Sequence, residues 1–249
     1  MYHFTWLEQI PGVAGAFESA HLGDSAAAIL HAWLLCFLLI GAALLGRMKL
    51  NAVISGGGSG QYIPDSTLTI RNFWELFAGG LDNLTHSVLG HNNRKPVYFA
   101  LLTGLFVYIL FGNLMGMVPG FAAPTGDFNT NLAMALIVLV VFNVAGLMAN
   151  GVGHITHLFG PVWWLAPLIF VVEALGMFIV RPFSLTLRLT GNMFGDHMVF
   201  GIMSDLIPPV LPSVFLGLGA FVSFIQALVF TLLSGVYIAL ATAHDDDHH

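Results

Sequence analysis

Charge is what this sequence has least of. Of 249 residues only 8% are Asp, Glu, Lys or Arg, while 57% are hydrophobic. A soluble domain carries about 25% charged residues, and a soluble chain of this size could not hide so much apolar surface. Cysteine is almost absent as well. Cys36 stands alone inside an apolar run, so an internal disulfide is excluded. No lysine or arginine precedes Arg47, so the N-terminus lacks the charged start of a cleavable signal peptide. No basic patch suits nucleic acid, and no GxxxxGK[ST] loop is there to cradle a nucleotide phosphate. No internal repeat appears, which leaves the inverted-repeat transporter plan without support.

What is present is a set of long apolar runs, several reaching the roughly 20 residues of a bilayer crossing. The expectation is an all-α polytopic membrane protein, one membrane domain over 1–249. Spans are expected at 26–46, 97–118 and 132–149, with two longer apolar stretches at 162–207 and 212–243. Over 68–89 the apolar residues Ile70, Phe73, Trp74, Phe77, Leu81, Leu84 and Val88 recur at three- and four-residue intervals, opposite Arg71, Glu75, Asp82 and Asn83. This pattern predicts an amphipathic helix lying on the membrane or on a partner. SGGGSG (55–60) is a flexible break, PGFAAPTGDFNTN (119–131) a loop, and PPVLP (208–212) a turn. His154 and His157 in the 151–161 connector are too few to define a metal site. The tail Asp245, Asp246 and Asp247 reads as a solvated end.

Five of the seven basic residues (Arg47, Lys49, Arg71, Arg94 and Lys95) lie between the first two spans. The positive-inside rule makes that segment cytoplasmic. The N-terminus, the Asp127 loop and the PPVLP turn are then outside, and the His154 connector and the C-terminus inside. The 162–207 stretch would measure about 69 Å as one helix, roughly twice the hydrocarbon thickness. It must break or tilt, and its polar residues favour tilt.

Arg181, Ser184, Arg188, Asn192 and Gly195 are spaced by three, four, four and three residues, and therefore share one helix face. An arginine at bilayer depth costs between about 3 and more than 10 kcal/mol, and it cannot shed its proton. No carboxylate stands three or four residues from Arg188. Asp196 lies about 12 Å further along the axis, and Glu173 is fifteen residues back. The counter-charge is therefore expected from another helix, and the other spans of this chain hold no carboxylate. A partner subunit is the simplest source. The bland alternative is that an arginine snorkels to a headgroup, a reading that suits Arg181, beside the irregular Pro182, better than Arg188.

Arg181-Pro182 followed by SLTLRLTGNM (184–193) resembles the signature of subunit a of F-type ATP synthases. Pro124-Thr125-Gly126-Asp127-Phe128-Asn129 and the pair Gln226 and Tyr237 are similar to that family too. The resemblance implies five membrane-embedded helices plus a surface helix, the last two long and tilted against a ring of c subunits. It implies as partners that ring, the peripheral-stalk b subunits, the remainder of the synthase and the lipid bilayer. No cofactor and no catalytic chemistry of its own are implied.

Protons would reach the ring carboxylates through one aqueous half-channel and leave by another, with Arg188 between them. Asn192 and Gln226 match family positions near the arginine, and His197 matches one that holds an ionisable residue. Asp196, its neighbour, and Glu173, upstream of the Arg-Pro pair, are further channel candidates. Two departures stand out: the spacing from Glu173 to Pro182 is one residue longer than usual, and Gly219 stands where the family often has a second ionisable residue. Gly112 to Gly116 is a GxxxG pattern, which reads as helix packing. A second class remains open, a channel or secondary transporter that binds an anionic substrate at Arg188. It requires internal repeats or convergent basic residues, whereas the first requires a carboxylate from a partner.

Overall fold

The computed structural model describes residues 24–55, 70–89, 96–118, 120–151, 165–206 and 210–243. The SGGGSG break, the His154 and His157 connector and the acidic tail lie outside them. Among the described residues the regular structure is helical: α1 (Asp24–Ser55), α2 (Ile70–Leu89), α3 (Pro96–Gly116), α4 (Phe128–Asn150), α5 (Ala166–Leu175), α6 (Arg181–Leu206) and α7 (Val210–Thr242). A 3-10 turn, Pro124–Gly126, leads into α4, and a π turn, Gly176–Val180, joins α5 to α6 without a break.

Among the described residues five segments are long and apolar enough to span a bilayer: Ala28–Met48, Pro96–Gly116, Phe128–Asn150, Ala166–Met203 and Ser213–Thr242. With the amphipathic α2, the chain is an all-α polytopic membrane protein. The last two segments, at 38 and 30 residues, are about 57 Å and 45 Å long against roughly 30 Å of hydrocarbon. Tilt, or projection beyond the hydrocarbon, must absorb the excess.

α7 is the hub; α2, α3, α4 and α6 all pack on it. Each helix turns one side to this core. In α3 that side carries Tyr98, Leu102, Leu105, Phe106, Ile109, Gly112 and Asn113. In α4 it carries Asn131, Met134, Ala135, Val138, Phe142, Ala145 and Gly146. Leu, Ile, Val and Phe side chains away from this side point outward, as befits helices solvated by lipid rather than water. Among its described side chains α1 buries a narrow stripe through Ala28, His31 and Leu35, against α3 and the 3-10 turn.

Three expectations are refined. The apolar row of α2 (Phe77, Leu81 and Leu89, with Thr85 between them) docks on this chain's own α3 and α7, so the surface helix is part of the bundle. α4 begins at Phe128 rather than near Leu132, because Asp127 caps it: its Oδ2 accepts from the Thr130 amide (3.1 Å) and hydroxyl (3.3 Å). α4 ends at Gly151, whose φ of 55° is unfavourable for a side chain, while Asn150 Nδ2 donates to the Ala241 and Ala243 carbonyls at the end of α7. The stretch expected over 162–207 is one rod from Ala166 onward, bulged rather than broken. Pro182 offers no N–H to the carbonyl four residues back and would crowd it. The backbone widens instead, and the Arg181 amide reaches the Gly176 carbonyl, five residues back.

Gly112 and Gly116 perform the packing role expected of GxxxG. A Cβ on Gly112 would lie 3.1 Å from Thr125 Cγ2, and one on Gly116 would collide with Ala123 and with Met193 of α6. These two glycines seat the 3-10 turn and, through Met193, the position of α6. Gly116→Leu is therefore expected to remove most of the assembled protein from membranes, whereas Gly112→Ala, which asks Thr125 to give by a few tenths of an ångström, is tolerated. Immunoblots of native gels check both.

Candidate functional site

α6 divides into two faces. Pro182, Leu185, Thr186, Leu189 and Met193 are buried against the bundle, while Ser184, Leu187, Arg188, Gly191 and Asn192 are exposed. The stripe read from the sequence thus points out of the subunit at its centre. The Arg188 side chain makes no hydrogen bond or ion pair with any described residue. Its charge is presented outward and unmatched among the described residues.

Behind it, the helix is held by polar bridges over long sequence separations. Asn192 Nδ2 donates to Gln226 Oε1 of α7 at 2.6 Å. Asn192 lies about 6 Å along the axis from Arg188, so this bridge sits one turn from the guanidinium. Gln226 is buried, and its Nε2 has no hydrogen-bond partner among the described residues. Deeper, Asn131 Nδ2 donates to the Thr125 carbonyl (2.7 Å) and to Thr190 Oγ1 (2.8 Å), joining α4, the 3-10 turn and α6. Asn131 Oδ1, Thr125 Oγ1 and Asn113 Oδ1 are buried without a described partner.

The other candidates are spread along the rod. Asp196 is half-buried and His197 exposed, the latter about 13 Å from Arg188 along the axis. Glu173 is half-buried on α5, about 22 Å from Arg188 by the same rise. The fold brings Arg188, Asn192 and Gln226 together, with Ser184 one turn before the arginine, and leaves Glu173 apart. Arg181 departs from the snorkelling reading. Its guanidinium carbon lies 5.0 Å from the Tyr237 ring centroid and 5.7 Å from that of Phe142, turned inward against α7 and α4. Among the described residues there is no cluster of three or more His, Cys, Asp or Glu able to hold a metal.

The family model for the ATP synthase A chain matches residues 29–239. The chain belongs to that family. It is 41% identical over 218 residues to ATP synthase subunit a 1 of Syntrophotalea carbinolica, covering 87% of this chain and 86% of the relative. It is 38% identical over 243 residues to ATP synthase subunit a of Bdellovibrio bacteriovorus, covering 97% and 99%. With subunit a of Geobacter sulfurreducens it shares 38% over 230 residues, 91% of this chain and 93% of the relative. Five spans and bacterial relatives make it a multi-pass bacterial membrane protein of the ATP synthase.

Two departures from the family pattern acquire a structural setting. The π turn lies between Glu173 and Pro182, where the resemblance led to the expectation of one extra residue, and a π turn takes up one residue without breaking a helix. At Gly219 the missing side chain leaves room for Met117, whose Cε would lie 2.8 Å from a Cβ there. Sequence reasoning missed the Asn131 and Thr190 bridge, because nothing local marks two polar residues in different apolar helices as partners. It also missed His31, buried on α1 edge-on to Phe121 at 5.7 Å.

The Asn192 and Gln226 bridge predicts energetic coupling. In a double-mutant cycle with Asn192→Ala and Gln226→Ala, the unfolding free energies should be non-additive by about 0.6 kcal/mol or more, the usual scale for hydrogen bonds within membranes. Strict additivity would mean that the bond contributes nothing.

Proposed function

We propose that this chain is the stator proton-channel subunit of a rotary F-type ATP synthase in the bacterial inner membrane. Two aqueous half-channels pass protons to and from carboxylates on a c-subunit ring, and Arg188 separates them. The observation that carries the reading is the outward Arg188 side chain, with no charge partner among the described residues, on a polar stripe of an apolar helix. A permanent cation in that setting needs a carboxylate from outside the chain. The tilted α6 and α7 lie along the ring, the b subunits and the rest of the synthase complete the assembly, and the chain itself catalyses no bond chemistry.

Arginine suits the role because it stays protonated. It cannot carry the proton across, but its charge favours the ionised form of a carboxylate that approaches it. A ring site nearing Arg188 releases its proton to the exit channel, and beyond it the site reloads from the entry channel. The same fixed charge repels protons that would leak between the two. Asn192, held by Gln226, and Ser184 flank the arginine with neutral hydrogen-bonding groups. With the N-terminus outside and the C-terminus cytoplasmic, Thr190, Asp196 and His197 lie on the outer side of Arg188. The unpaired oxygens of Asn131, Thr125 and Asn113 then offer water sites toward the outer path, and Glu173 lines the inner one. A carrier for an anionic substrate would need basic groups converging on Arg188, and Arg181 instead turns away onto aromatic rings.

Arg188→Ala is expected to abolish ATP-driven proton pumping in inverted membrane vesicles while the complex still assembles. Lysine should not restore it fully, since it lacks the planar fork. Normal pumping by the alanine variant would overturn the assignment. For the channels, Cys36 is replaced and cysteines are placed singly at positions 197 and 173. Water-soluble thiol reagents should label the first from outside and the second from the cytoplasmic face. Labelling of both from one face would refute this placement of the channels.

A further inference from the structure

The Arg188 segment has a weak point just before it. Over Gly176–Val180 the helix is π-wound, and Pro182 can give no amide hydrogen to the ladder. Closing the bulge into plain α-winding would turn everything beyond it by about 100° relative to α5. Arg188 would then leave the outward face. Something must hold the azimuth of α6 at this joint, and Arg181 is the side chain placed there.

Arg181 is the first residue of α6, seven residues before Arg188. Its guanidinium is within cation–π range of two rings at once, Tyr237 of α7 at 5.0 Å and Phe142 of α4 at 5.7 Å. The rings themselves are 6.1 Å apart and inclined by 52°. Phe142 is fully buried in the core, so the guanidinium is anchored to a fixed wall. The Arg181 guanidinium has no hydrogen bond or ion pair with a described residue; the two rings are its described partners. One cation thus joins three helices at the point where the backbone ladder of α5 and α6 is interrupted.

We propose that Arg181 is a positioning residue for proton translocation: its guanidinium, held by the Tyr237 and Phe142 ring faces, locks the rotation of α6 and so aims Arg188 out of the subunit. The charge, and not only the bulk, is what the rings grip. This rests on the reading of Arg188 given above.

The test uses the whole synthase in inverted vesicles, with pumping normalised to assembled complex. Arg181→Met keeps length and removes charge; it should assemble but pump slower by on the order of tenfold to a hundredfold, the penalty for a misaimed group. Arg181→Lys, still a cation over the rings, should recover most of the rate. Phenylalanine at 237, fluorinated stepwise, weakens the ring face at nearly constant shape, and the rate should fall with each fluorine. In a Cys36-free background, the disulfide yield between Asn192→Cys and Gln226→Cys should drop when Arg181→Met is added. A wild-type rate in Arg181→Met, a flat fluorine series or an unchanged disulfide yield overturns the proposal. If Arg181→Met fails to assemble, the fluorine series decides alone. Arg188→Ala is run alongside: if it pumps, the reading of Arg188 falls; if it does not and Arg181→Met does, only the positioning role falls.

Discussion

A permanent positive charge in hydrocarbon is the constraint on which the rest of this structure turns. Arginine cannot neutralise itself, and at bilayer depth its cost is comparable to the stability of a whole domain. Arg188 finds no counter-charge among the described residues, so the fold has to keep it facing outward, away from the apolar packing behind it. The opposite face of α6, with Leu185, Leu189 and Met193 buried, is a conventional bundle surface. The two faces of one helix thus meet opposite demands, and the separation between them is sharp.

Holding that separation requires contacts that resist rotation. Apolar packing alone is forgiving in a membrane, where lipid tails compete on equal terms with side chains. Directional contacts do more: Asn192 to Gln226, Asn131 to Thr190 and Thr125, and the Asn150 amide on the last carbonyls of α7. Close approach adds to them. Gly112 and Gly116 let the 3-10 turn and Met193 come in contact with α3, and Gly235 admits Val88 and Leu102 against α7. Small residues at such points are where a membrane bundle gains shape specificity that hydrophobicity cannot supply.

The two arginines of α6 show how one residue type takes two environments on one helix. They are seven residues apart and near the same azimuth, and both were read as parts of one stripe. Arg188 stays out. Arg181 folds back onto Tyr237 and Phe142, where the negative faces of the rings stabilise its charge by about 0.5–2 kcal/mol without a carboxylate. A cation satisfied in this way adds no competing acid near the site.

The sequence by itself determined the class of protein, the amphipathic pattern of α2 and the single helix face shared by Ser184, Arg188 and Asn192. Each of these rests on composition or on spacing within one helix, and the geometry of a helix converts spacing into direction with little help from its surroundings. The lack of any carboxylate near Arg188 could be read in the same way, by elimination along the chain. Only the tertiary structure decided that Arg181 lies on two rings, that Asn131 reaches Thr190 across 59 residues, and that Gln226 meets Asn192 across 34. It also decided that Pro182 makes a π turn rather than a break, and that α2 belongs to the bundle. These are pairings between residues distant in the chain, or responses of the backbone to its neighbours. No periodicity records them, because they come into being only when the helices are packed.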